Sequence, residues 1–187
     1  EVDDDNVDNV TVNNAHGSEL AVELLASKGC EKIAHVTGSM QKQISDYRLA
    51  GYLAGIEKLG YEAQVIPSGD FTVKSGYQAT KALFSSLDRS DWPDGIYYSA
   101  DVNAFGGMKA LLEMGIEIPQ EVKIVGYDDD QPYNYSLLDL PPLTTLRQPL
   151  KELGAASVRF LLEQLETTGS RRQHLQIDPV LIERQTT

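Results

Sequence analysis

Short apolar runs alternate along this sequence with longer segments of helical periodicity, and that alternation leaves few folds open. Runs at 33–37, 63–66, 96–99 and 123–127 read as strands, and the patterns at 45–59, 72–86 and 101–114 read as helices. The units recur at roughly 25–30 residues, the spacing of strand–helix repeats. Strands written as continuous apolar runs are covered on both faces. The fold class is therefore α/β, a parallel sheet with helices on both faces and right-handed crossovers. Asn13-Asn14 offers N-cap side chains to a helix carrying Leu20, Leu24 and Leu25, and Gly29, Gly60 and Gly115 stand where helices stop. Val10-Thr11-Val12, ahead of the first helix, alternates like a short strand.

The run at 122–125 climbs into Gly126-Tyr127 and then into Asp128, Asp129 and Asp130. Ligands of open α/β sheets sit beyond the carboxyl ends of the strands, which puts Asp128 at the lip of a crevice. Arg48, early in the helix after 33–37, points to the same edge. Its guanidinium presents a planar fork suited to neighbouring hydroxyls or to a carboxylate; spacing alone favours an ion-pairing arginine. Adjacent carboxylates also suit a metal or a phospho-acceptor pocket, but HExxH, HxxxH and EF-hand spacings are absent, and His16, His35 and His174 are scattered. Gly106-Gly107 lies inside a helical pattern rather than a phosphate-binding GxGxxG or GxxxxGK, and no GxSxG occurs. No catalytic constellation emerges, so an enzyme is not expected, and neither is a cofactor or a metal.

After an aromatic loop with Tyr133 and Tyr135 the rhythm changes. Residues 144–147 form a strand or crossover, and Pro149 opens a helix to about Leu165. A polar turn at 169–173 leads to a final strand over 174–182, interrupted at Pro179. The ordered set Arg48-Leu49-Ala50-Gly51-Tyr52, Gly69-Asp70-Phe71-Thr72, Ala100-Asp101, Ile118-Pro119, Val125-Gly126-Tyr127-Asp128-Asp129, Leu143-Thr144-Thr145, Gln148-Pro149 and Ile182-Glu183-Arg184 resembles the LacI/GalR type of bacterial sugar repressors. Their effector domains share the fold of type I periplasmic binding proteins.

The resemblance implies a two-lobe clamp around a small-molecule effector, a sugar or a relative of one. It divides the chain into a C-terminal lobe at 1–142 (with 1–9 an acidic lead-in), a crossover and helix of the N-terminal lobe at 143–170, and a return strand to the C-terminal lobe at 171–187. It implies ligand contacts at Arg48, Asp128, Phe71, Asp101 and Ala100. Phe71 reads equally as a core residue, and Asp101 as a helix cap. Ala100 stands where many relatives carry an amide, which points to a different effector. A homodimer is implied through Phe105, Met108 and Leu112, whose spacing makes one apolar stripe; a plain core face explains that spacing equally well. A solute receptor of a sugar transporter is the alternative binding reading, and an Asp-cluster metal or phosphotransfer enzyme the third.

Net charge is −12 over 187 residues, so the surface repels the phosphates that DNA-binding proteins neutralise. Contact with DNA is expected only through a headpiece outside this chain, which reads as the C-terminal part of a longer protein. No apolar run approaches the ~20 residues of a membrane helix. The lone Cys30 excludes a disulfide framework and fits a buried residue in a reducing cytoplasm. Finally, Leu150, Leu153, Leu161 and Leu165, widened by Val158 and Leu162, make an apolar stripe. That stripe is expected to find cover on the C-terminal lobe or on another copy, while the chain alone binds sugar weakly or not at all.

Overall fold

A computed structural model describes residues 7–130, 140–166 and 172–187. Tyr133, Tyr135, most of the acidic lead-in and positions 169–171 of the polar turn lie outside the described residues. The strands are β1 Asn9–Val12, β2 Ile33–Thr37, β3 Gln64–Pro67, β4 Gly95–Tyr98, β5 Lys123–Asp128, β6 Thr144–Arg147, β7 His174–Ile177 and β8 Val180–Ile182. The helices are α1 Asn14–Ser27, α2 Gln43–Leu59, α3 Val73–Ser86, α4 Asp101–Glu113 and α5 Leu150–Glu166.

Six strands form one sheet in the order β3-β2-β4-β5-β6-β8. All neighbours are parallel except β8, which runs antiparallel to β6 with Leu146 opposite Leu181. Every residue of β2 is buried, as a strand covered on both faces requires. Successive side chains feed different cores. Ala34, Val36, Ile96, Tyr98 and Ile124 pack with α3 and α4, while Ile33, Tyr97, Val125, Tyr127 and Leu146 pack with α1 and α2. The helix signals act locally: the Asn13 side chain accepts from the His16 amide, Thr72 and Ser75 form a reciprocal capping box, and Gly60 closes α2 in the left-handed conformation.

Helix α4 overturns the reading of its apolar stripe. Phe105 and Met108 are buried in the chain's own core, and of the trio only Leu112 is exposed. A Cβ on Gly106 would collide with the Val73 carbonyl of α3, and one on Gly107 with the Tyr98 hydroxyl. The glycine pair therefore serves close approach within the chain, and the stripe that looked like an interface is in part a core face.

A further expectation is corrected and another narrowed. Residues 174–182 are not one strand: β7 pairs in parallel with β1 in a separate two-stranded sheet, and β8 joins the main sheet beyond Pro179. Val10–Val12 thus stands apart from the main sheet as well. Among the described residues the stripe of α5 finds little cover on the C-terminal lobe, which leaves another copy as the expected cover. Ala156 and Phe160 are buried and Leu153 touches the α1/α2 core, but Leu150, Val158, Leu161 and Leu162 are exposed, and Leu165 is 75% exposed. A sheet two strands wide is too narrow to bury more of that helix.

Candidate ligand site at the carboxyl edge of the sheet

Arg48 sits on the face of α2 that packs on the sheet and is 1% exposed. Its donors fan out to separate elements. Nε donates to Asn14 Oδ1 at 3.0 Å, Nη1 to the Ser99 carbonyl oxygen, and Nη2 to Asp128 Oδ1 at 3.2 Å. Its guanidinium carbon lies 3.6 Å from the centroid of the Tyr127 ring. A charge this deeply buried persists only when paired and hydrogen-bonded, and here each nitrogen of the guanidinium donates to a partner. Asn14 in turn donates from Nδ2 to the Val12 carbonyl at 3.2 Å. Arg48 therefore ties the start of α1 to the carboxyl ends of β4 and β5.

Asp128 ends β5 with φ 119°, and Asp129 follows at φ 58°. Positive φ strains a residue with a Cβ, and such strain persists where surrounding contacts over-determine it. Asp128 Oδ1 takes the Arg48 bond and a second from Gln148 Nε2 at 2.7 Å, while its side chain stays 29% accessible. Burial raises its pKa, against the lowering effect of Arg48 and Gln148. Asp129 is held by Arg147 Nε and Arg184 Nη2, each at 2.6 Å. Burial alone would raise its pKa, but hydrogen bonds from the two arginines outweigh it and the net shift is downward.

Asp101 departs from both readings of it. Ala100 occupies the N-cap position of α4 with no side-chain cap bond, and Asp101 is the first helical residue. Ala100 is buried and Asp101 is 1% exposed. The Asp101 carboxyl oxygens accept from Thr145 Oγ1 at 2.6 Å and from the Asp130 amide at 2.9 Å. Phe71 is partly buried, with its ring stacked so closely over Gly38 at the end of β2 that a Cβ there would strike it. Arg48 and Asp128 thus meet directly, Phe71 borders the same edge, and Ala100 and Asp101 lie beneath it.

Two hollows flank the Arg48–Asp128 pair. One of about 430 Å³ is lined by Asn13, Asn14, Tyr47, Thr11, His174 and Gln176, among others. The other, about 490 Å³, has Asp128, Asp129, Arg147, Gln148 and Lys151 in its wall. Asn14, Tyr47 and Gln148 were not singled out in the sequence as site residues. Asn14 read only as a cap, and Gln148 only as part of the Gln148-Pro149 pattern, which was the available signal for it. Among the described residues no group of three His, Cys, Asp or Glu is arranged to hold a metal ion. His35 is buried between the Tyr52 and Tyr97 rings, and burial pushes its pKa down to about 3. Burial likewise pushes the Cys30 thiol up to about 12, which keeps it unreactive.

Residues 22–187 match the periplasmic binding protein-like domain family. The chain is similar to the ribose operon repressor of Escherichia coli (strain K12), at 32% identity over 97% of this chain and 54% of that protein. It is also similar to the HTH-type transcriptional repressor PurR of Erwinia tasmaniensis, at 30% identity over 97% of this chain and 52% of that one. Among solved structures, a LacI family transcriptional regulator from Enterococcus faecium with bound ribose superposes with a TM-score of 0.81, at 27% identity over 96% of this chain and 65% of that chain. The chain spans about half the length of the repressors it matches. No helix among the described residues is long and apolar enough to cross a membrane. The chain belongs to the periplasmic binding protein-like domain family, in the form found in LacI-type transcriptional repressors.

Proposed function

We propose that the chain senses a small polyhydroxylated effector, a sugar or a close relative, as part of a DNA-binding transcription regulator. The observation that carries this reading is the junction at Asp128. One carboxylate oxygen takes bonds from Arg48 and from Gln148, while the side chain keeps open surface. A carboxylate accepts readily from sugar hydroxyls, and a guanidinium or amide donates to them. The Phe71 ring supplies an apolar face for sugar C–H groups. Gln148 stands two residues ahead of α5, so a ligand that competes for Asp128 bears on how α5 and the β1–β7 sheet are placed. Different affinities for two such placements shift the equilibrium between them.

The similarity to a ribose operon repressor and to a ribose-bound regulator supports a sugar as the effector class. Contact with DNA is assigned to a separate basic headpiece, because a net charge of −12 opposes it here. The regulator works in the cytoplasm as a homodimer, with the outer face of α4 around Leu112 as the contact. Thermal unfolding in the presence of neutral sugars tests the reading, since a ligand bound only by the folded state raises the midpoint. In the full-length regulator that carries this chain, a neutral sugar should raise the midpoint and Asp128→Asn should suppress that rise; no rise with any sugar would count against the proposal.

A further inference from the structure

We propose that Asp101 is a positioning residue for the effector site: its carboxyl group fastens the 128–130 turn to β6 and so sets where Asp128 meets Arg48 and Gln148. The proposal rests on Asp128 facing the effector, as argued above. Asp101 touches neither the accessible surface nor Arg48. It joins the start of α4 to the hydroxyl of Thr145 on β6 and to the amide of Asp130. A Cβ on Gly126 would run into Asp101 Oδ1, so the glycine in the middle of β5 is what lets the carboxyl group reach both partners. The turn it holds contains the two described non-glycine residues at positive φ, Asp128 and Asp129. Strained backbone relaxes unless something ties it down. Asp129 is tied by Arg147 and Arg184 and, through its amide, weakly by Thr145 Oγ1 at 3.4 Å, and the following residue is tied by Asp101 at 2.9 Å.

The charges around Asp101 give the fastener a pH response. Asp128 and Asp129 face it from β5 and the turn, and the neutral Thr145 from β6; the arginines nearby are engaged by Asp128 (Arg48) and Asp129 (Arg147 of β6 and Arg184). Burial pushes the Asp101 carboxyl up to about 8; the Thr145 bond opposes this and the Asp128 charge adds to it. While protonated, the group donates to Thr145 Oγ1 and still accepts from the Asp130 amide. Losing that proton adds a buried negative charge beside Asp128 and Asp129.

The test is nuclear magnetic resonance of the ¹⁵N-labelled chain, following the Asp130 amide and the Arg48 Nε–H group. In Asp101→Ala the Asp130 amide should exchange several-fold faster, as expected for one lost hydrogen bond, and the Arg48 signal should move. Asp101→Asn should keep both signals in place, because its amide accepts from Asp130 and donates to Thr145. It should also abolish a titration with a midpoint near 8 that both signals share in the wild type. Thr145→Val guards against a variant that fails to fold: it should shift the Asp130 amide while α1 amides stay unchanged. Wild-type behaviour of Asp130 and Arg48 in Asp101→Ala, or of Asp130 in Thr145→Val, would overturn the proposal. D-ribose added to the full-length regulator and to its Asp101→Ala variant separates the two claims. A loosened turn with no wild-type response to ribose leaves the positioning role standing and counts against the effector reading. An equal ribose response in wild type and Asp101→Ala removes the positioning role instead.

Discussion

Arg48 Nη2 donates to Asp128 Oδ1 across 3.2 Å, joining α2 to the end of β5 over 80 residues of sequence. Arg48 is buried and Asp128 is partly open, so the arginine is the structural member of the pair and the aspartate the one that meets solvent. Arg48→Ala should therefore cost stability as well as ligand response. Breaking a buried pair by removing one partner costs ~3 kcal/mol, readable as a lowered urea midpoint. Arg48→Lys should recover little, since an ammonium cannot span Asn14, Ser99 and Asp128 together. Full stability in Arg48→Ala would mean that these bonds contribute nothing net.

Asp101 should make the fold less stable as pH rises. Its folded-state pKa is raised from 3.8 to about 8, so the folded state binds the proton more tightly than the unfolded chain. Its favourable contribution is complete below the unfolded value and is lost progressively up to the folded one. Thermal midpoints measured from acid to pH above 8 should fall across that window in the wild type. In Asp101→Asn the fall should flatten; parallel curves for the two proteins would contradict the assignment. Asp129, with its lowered pKa, acts in the opposite sense and only at acid pH.

Gly106→Ala should destabilise the α3–α4 contact, because the added Cβ meets the Val73 carbonyl, which belongs to backbone and cannot swing away. Overpacking of this kind costs about 1–3 kcal/mol. Guanidinium unfolding that shows no loss would mean that the two helices can separate freely.

On α5, neighbouring positions should behave oppositely. Phe160→Ala removes a buried ring and should cost ~3–5 kcal/mol. Leu161→Ala should change stability by less than ~0.5 kcal/mol, as for a surface site. A double change of Leu161 and Leu165 to Glu should reduce self-association in sedimentation, since contiguous exposed apolar surface seeks a partner. Equal costs at 160 and 161 would show that the helix packs on a different face.

Much of this architecture was legible because its signals are local. The strand–helix rhythm, the Asn13 and Thr72 caps and the glycine stops each depend on a few adjacent residues. The start of α2 at Gln43 was read two residues late because Lys42 offers no capping side chain. Other features depend on partners far along the chain. Alternation over 174–182 shows a strand but not which sheet receives it, and β7 and β8 go to different ones. Apolar spacing on α4 cannot distinguish a core from an interface, so Phe105 and Met108 were misplaced. Asp101 looked like a cap because Thr145 lies 44 residues away. For Arg48 and Asp128, strand ends and helix starts sufficed to bring the two to one edge. The roles of Asn14 and Gln148 depended on the bonds those two make.

The site itself is tested most directly by titrating D-ribose and a series of other neutral pentoses and hexoses into the labelled full-length regulator that carries this chain. The signals to follow are the Arg48 Nε–H group, the Gln148 side-chain amide and the Asp128 backbone amide. At least one sugar should move all three together, with amides at the opposite end of the sheet, around Glu31 and Gln64, unaffected, and Asp128→Asn should suppress the response. If every sugar leaves these three groups unmoved, or moves only residues away from this edge, Arg48 and Asp128 are a structural ion pair and not an effector site.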